Sequence, residues 1–141
     1  MTGPDRALYA TYLQKIPMLR SCSPDDIERI AELGVTVTVP PGRSIIHEGE
    51  AGDQFFVITH GAVEVSRAGR TVAELGPGDY FGELALFDPA PRNATVTATK
   101  DTTVVSVSRN TFRELLGEVS SLRDVLLAGM ATRLHELDGH A

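Results

Sequence analysis

Between Val35 and Val107 the chain is written in short apolar segments separated by glycine and proline, a pattern that admits few folds. Val35, Val37 and Val39 alternate with Thr36 and Thr38, the period of a half-buried strand. Strand-like segments continue at residues 44–47, 55–59, 63–66, 71–75, 94–98 and 103–107. Turn signals stand between them: Pro40-Pro41-Gly42, Glu48-Gly49-Glu50-Ala51-Gly52-Asp53, His60-Gly61, Ala68-Gly69 and Gly76-Pro77-Gly78-Asp79. Many short strands with regular turns argue for a sandwich or jelly-roll barrel. The glycines at 42, 49, 52, 61, 76 and 78 read as turn residues that permit positive φ.

Helical patterns flank this β region. Residues 7–19 place Leu8, Tyr12, Ile16 and Leu19 at helical spacing, with Pro17 breaking the tail. Ser23 caps a second helix, Pro24 suits its first position, and Asp25 and Asp26 favour the positive end of the dipole. Ile27, Ile30, Ala31 and Leu33 form its buried stripe, and Gly34 ends it. After the strands, Ser108 caps residues 111–116 and Gly117 interrupts. A last helix is expected over about residues 120–137, with Leu122, Val125, Leu126, Met130, Leu134 and Leu137 on one face. The expected organisation is one domain over 1–141: a helical N-terminus (5–34), a β-barrel (35–107) and C-terminal helices (108–138).

Composition narrows the function classes. The 141 residues are 42% hydrophobic and 23% charged, ordinary for a soluble globular protein. No apolar run approaches the roughly 18 residues of a membrane span, and residues 1–10 carry Asp5 and Arg6, unlike a secretory signal. The single cysteine, Cys22, has no partner for an internal disulfide, so a reducing, cytoplasmic setting is expected. A formal net charge of −6 disfavours nucleic acid as a partner. An anionic ligand would need a local cationic spot. His47, His60, His135 and His140 are scattered, with no H-x-H pair, so a metal-binding jelly roll is not supported and no metal is expected. No nucleophile–base pair or nucleoside triphosphate loop is present, which argues against an enzyme.

One stretch breaks the β pattern: Phe81-Gly82-Glu83-Leu84-Ala85-Leu86-Phe87-Asp88-Pro89-Ala90-Pro91-Arg92-Asn93-Ala94-Thr95-Val96. A short helix over residues 82–87 offers the amides of Glu83, Leu84 and Ala85 to an anion. A proline-stiffened turn follows, and Arg92 then enters a strand, where its planar fork suits two phosphate oxygens. Glu83 at the helix start would be repelled by phosphate unless it faced hydroxyls.

This stretch resembles the phosphate-binding cassette of the cyclic-nucleotide-binding family, which includes protein kinase A regulatory subunits, catabolite activator proteins and cyclic-nucleotide-gated channels. The glycine pattern of residues 42–65 is similar to that of the family's preceding strands, and the resemblance covers roughly residues 14–135. It implies a double-stranded β-helix (jelly-roll) barrel with N-terminal helices, an inserted cassette helix and C-terminal helices. It implies that Arg92 pairs with the cyclic phosphate, Glu83 accepts from the ribose 2′-OH and Gly82 lets the sugar approach. Amides of Leu84, Ala85 and Asn93 would complete the cradle, and Asp53 would orient the arginine. Leu126, Met130 and Arg133 would form a lid over the base. Asn93 departs from the family's Ala or Thr, so either cAMP, the generic ligand, or cGMP fits. No cofactor is implied.

The resemblance implies a sensor in which ligand capture moves the C-terminal helices, with Leu86 and Phe87 repacking against Phe112, Leu115 and Leu116. The alternative is a degenerate domain that dimerises through its last helix or docks an effector protein without binding nucleotide. Arg92 could also serve only as a surface ion-pair partner of Glu83 or Asp88. No helix-turn-helix follows the last expected helix, so a DNA-binding output is not expected within the 141 residues.

Overall fold

A computed structural model describes residues 3–16, 19, 22–82, 85 and 91–118. The chain runs α1 (Gly3–Lys15), α2 (Pro24–Glu32), β1 (Val35–Val39), β2 (Ser44–Ile46), β3 (Gln54–His60), β4 (Val63–Arg67), β5 (Arg70–Leu75), β6 (Tyr80–Phe81), β7 (Thr95–Ala98), β8 (Thr102–Ser108) and α3 (Arg109–Glu118). The strands form two antiparallel four-stranded sheets, in the orders β1-β8-β3-β6 and β2-β7-β4-β5. The architecture is thus mainly β with flanking helices, as the turn-punctuated pattern implies. The two sheets are paired face to face and, among the described residues, are not hydrogen-bonded into a closed barrel.

Strand β3 explains the layering. Its side chains alternate, and both sets are buried. Phe55 and Val57 join Val105 and Val107 of β8 in a core with Tyr9, Leu13, Ile27, Ile30 and Ala31 of the helices. Phe56 and Ile58 point the other way, into a second core with Val63, Phe81, Val96 and Val104 between the sheets. A sheet covered on both faces reads as a continuous apolar run, and Phe55-Phe56-Val57-Ile58 is one. Each such side chain contributes roughly 1.5–3 kcal/mol by its burial.

The structure corrects several sequence expectations. Of the expected N-terminal stripe Ile16 and Leu19 are buried, but within α1 Tyr9 and Leu13 are fully buried whereas Leu8 and Tyr12 are half-buried. Gly34 accounts for this, because a Cβ there would lie 2.8 Å from the Tyr9 ring and 2.5 Å from Val105 Cγ1. The missing side chain makes the socket for Tyr9. Strand β1 is an edge strand, so Val35 and Val37 stay 60% and 39% exposed and only Val39 is buried. Gly117 does not interrupt α3, which continues to Glu118. One glycine costs a helix only about 1 kcal/mol, and Phe112 and Leu115 anchor this helix in the core. Strand β6 has no sequence signature because two residues carry no period; it pairs Phe81 with Phe56 and stacks their rings 5.0 Å apart. The caps are where the sequence puts them. Ser23 Oγ accepts from the Asp26 amide at 3.1 Å and Ser108 Oγ from the Thr111 amide at 3.2 Å. The expected last helix lies outside the described residues. Among those described, no helix is long and apolar enough to cross a membrane.

Tyr9 yields a stability prediction. Its hydroxyl is buried without a hydrogen-bond partner among the described residues, and burial pushes its pKa above the ordinary value of 10.0. Tyr9→Phe removes the unsatisfied group and is expected to raise unfolding stability by about 1 kcal/mol. The unfolded phenol releases its proton near pH 10 while the folded one retains it. Native Tyr9 therefore makes stability fall as pH rises past about 10. Chemical denaturation at pH 8 and pH 10.5 should show that slope in the parent and a smaller one in Tyr9→Phe.

Candidate functional site

Arg92 is held at the entry of β7 by its main chain. Its amide donates to the Glu50 carbonyl at 2.9 Å, and its carbonyl accepts from the Gly49 amide at 2.8 Å. The turn that receives it depends on Gly49, whose φ is +85°. The Glu48 amide donates to Thr95 Oγ1 at 3.0 Å, fastening the same turn to the start of β7.

The Arg92 side chain then crosses Gly52. A Cβ on Gly52 would lie 2.2 Å from Nε, so the guanidinium lies directly on bare backbone. Nη2 donates to the Gln54 carbonyl at 2.8 Å and Nη1 to the Gly82 carbonyl at 3.4 Å. Gly82 has φ +79°, and a Cβ there would approach Nη1 and the Gln54 carbonyl to 2.9 Å each. Strand β6, pairing Phe81 with Phe56 of β3, delivers Gly82 to this point. A cavity of about 290 Å³ opens beside the guanidinium, lined by Ile45, Ile46, His47, Glu50, Ala51, Gly52, Asp53, Gln54 and Arg92.

The sequence-derived site residues divide as follows. Arg92 and Gly82 come together as the cassette pattern implies. Asp53 lines the cavity beside Arg92, although the two guanidinium bonds given above go to main-chain carbonyls. Asn93 follows Arg92 and is exposed. The Ala85 amide donates to the Gly82 carbonyl at 3.1 Å. Glu83 and Leu84, the ion-pair alternative Asp88, and the lid residues Leu126, Met130 and Arg133 lie outside the described residues.

Sequence reasoning missed two contributors. Gly52 reads in the sequence as a turn glycine, yet it and Gly76 lack the positive φ found at Gly42, Gly49, Gly61 and Gly78. Gly52 is small because Arg92 lies on it. Gln54 acts through its carbonyl, which no side-chain pattern reveals. His47 Nδ1 lies 3.4 Å from Glu50 Oε2 at the cavity rim; an exposed pair of this kind contributes little stability. Among the described residues no group of three or more His, Cys, Asp or Glu could hold a metal ion.

Three comparisons bear on this geometry. The family model described as cyclic nucleotide-binding domain matches residues 36–118. A cAMP-dependent protein kinase regulatory subunit of Hypocrea atroviridis is 37% identical over 134 residues, covering 94% of this chain and 29% of that protein. The chain spans about a third or less of the length of the curated relatives it matches. Among solved structures, the N-terminal domain of a transcriptional regulator from Streptomyces coelicolor A3(2) superposes with a TM-score of 0.80 and 29% identity, covering 92% of this chain and 94% of that one. A structure described as cAMP bound PfPKA-R (141-441) gives a TM-score of 0.70 and 31% identity over 96% of this chain and 48% of its own.

The packing of Arg92 on Gly52 is testable without a ligand. In Gly52→Ala the new methyl occupies the path of Nε, while the backbone, which is not left-handed there, accepts alanine. A crystal structure of the variant should show the guanidinium displaced from the Gln54 carbonyl and both sheets unchanged. A guanidinium still seated on residue 52 would contradict the reading.

Proposed function

Because this chain belongs to the cyclic nucleotide-binding domain family, we propose that it is a sensor that captures a cyclic nucleotide and catalyses no reaction. The observation that carries this is the guanidinium of Arg92, held by the carbonyls of Gln54 and Gly82 at the wall of a cavity in an acidic protein. A ring-closed phosphate monoester presents two oxygens to that fork. In the proposed complex Arg92 pairs with the phosphate, Gly82 admits the sugar, and Glu83 accepts from the ribose 2′-OH. Amides of Leu84, Ala85 and Asn93 complete the cradle and Asp53 supports Arg92. Leu126, Met130 and Arg133 cover the base. The ligand is cAMP in the first instance. Asn93 is compatible with cGMP through a bond to phosphate or guanine.

The signal in this proposal is a population shift, effective only insofar as ligand binds one arrangement of the C-terminal helices better than another. Residues 1–141 act as one domain, without cofactor, in the cytoplasm. The partner is an effector protein or a second copy met through the C-terminal helix.

A second reading, a docking or dimerisation module without nucleotide affinity, has one observation in its favour: Val35 and Val37 stand exposed on the edge strand β1. Sedimentation with and without nucleotide separates the readings, since only a sensor changes with ligand.

Isothermal titration with cAMP and cGMP tests the proposal directly. Arg92→Ala removes charge-assisted hydrogen bonds of about 1.5–3 kcal/mol each and is expected to weaken binding about a hundredfold, or about 2.7 kcal/mol. Binding by Arg92→Ala as tight as the parent's would refute the phosphate contact.

A further inference from the structure

Among the described residues four strands lie at sheet edges: β1 and β6 in one sheet, β2 and β5 in the other. An edge strand offers unpaired N–H and C=O groups to any other strand, and proteins blunt such edges with shortness, charge, proline or a bulge. Three of these edges are blunted. Strand β6 has two residues. Strand β2 has three, and its register with β7 shifts. Strand β5 carries Arg70 and Glu74, and its register with β4 shifts between Val65 and Ser66. Strand β1 has none of these devices. It runs from Val35 to Val39, holds neither charge nor proline, and pairs with β8 in unbroken register. Its first four residues are exposed.

The strand is also a palindrome: Val-Thr-Val-Thr-Val reads the same from either end. A two-fold axis normal to the sheet reverses strand direction and preserves the two faces. Set through Val37, it places Val37 opposite Val37 of a second copy, Val35 opposite Val39, and Thr36 opposite Thr38. Threonine then meets threonine on one face, a cross-strand pair that contributes roughly 0.2–1 kcal/mol. Valine meets valine on the other face, which is the face of Val104 in the core between the sheets. Val35 and Val37 carry that apolar face past its cover, and a second β1 would extend it. Charge favours the same arrangement. The paired strands set no like charges against each other. Glu32, just before β1, comes to the side of Arg43, which lies just beyond the end of β1 in the second copy. Glu32 also pairs with Arg6 and Arg29, so this attraction selects strand direction and adds little affinity.

We propose that β1 is a self-association edge: two copies of this chain join their β1 strands antiparallel about Val37 and form one continuous sheet. The contact is isologous and each copy brings one β1, so the assembly closes at two. Five residues a side fall short of the roughly 800 Å² per partner of a stable complex. The pairing is therefore weak, with an expected dissociation constant on the order of 100 μM. It needs no nucleotide and does not rest on the reading of the cavity.

Sedimentation of the nucleotide-free parent from about 10 μM to about 1 mM should show a monomer–dimer equilibrium. Over the same range, hydrogen exchange at the outward amides of β1 should slow about fourfold, with β5 and β6 unchanged. Val37→Lys and Val37→Glu each set like charges on the axis and are expected to weaken pairing about tenfold or more. Mixed in equal amounts, the two variants set opposite charges there and should recover the dimer. Exchange in β3 and β8 checks that both remain folded, and if either unfolds, the exchange comparison in the parent decides alone. A parent that is monomeric at about 1 mM overturns the proposal and leaves the edge to a strand of another protein. A dimer that leaves β1 exchange unchanged, or that both variants form as well as the parent, places the contact elsewhere and also overturns it. Folded variants that fail to pair when mixed overturn the register about Val37.

Discussion

The main chain of Arg92 exchanges two hydrogen bonds with the turn at Gly49 and Glu50, while its guanidinium crosses Gly52 to the Gln54 carbonyl. Much of the site depends on this anchoring. An arginine side chain carries about 2 kcal/mol of rotamer entropy, and here part of that cost is met on folding. A guanidinium has five N–H donors in a rigid fork, so carbonyl anchoring and anion recognition can share one group. Main-chain carbonyls also suit the anchoring task. They hold the fork at fixed points of the backbone.

The fold supplies the platform for that anchoring through β3. With both faces buried, β3 is fixed between the helical layer and the second sheet. Its first residue, Gln54, receives Arg92, and its neighbour Asp53 receives the amide that begins α3. The cavity and α3 thus meet at one end of a strand buried on both faces. A disturbance there has little soft material in which to dissipate, because packed interiors have few voids.

The strand-rich fold was legible in the sequence because alternation of valine with threonine, and of apolar runs with glycine turns, is local. The caps Ser23 and Ser108 were legible for the same reason, since a hydroxyl bonding three residues ahead is a local event. Strand β6 was not, because two residues show no period. Within α1 the buried residues are Tyr9 and Leu13 rather than Leu8 and Tyr12, because the helix orientation is set by Gly34 and Val105, distant in sequence. Val35 and Val37 looked like core because alternation marks a face without saying whether anything covers it.

In the candidate site the same boundary holds. Gly82 and Arg92 were found because a glycine, a helical interruption and an arginine at fixed spacing form a pattern within one stretch of chain. Gly52 and Gln54 are not legible as contributors in the sequence. Each acts through a main-chain atom or an absent side chain that matters only when strands far apart in sequence are brought side by side. By itself the sequence determined the element types, the caps and the cationic residue at the centre of the proposed site, all consequences of short-range chemistry. Only the tertiary structure decided which faces are covered, which carbonyls hold the guanidinium and how the cavity wall is joined to α3, because those contacts exist only once the chain has closed its long loops.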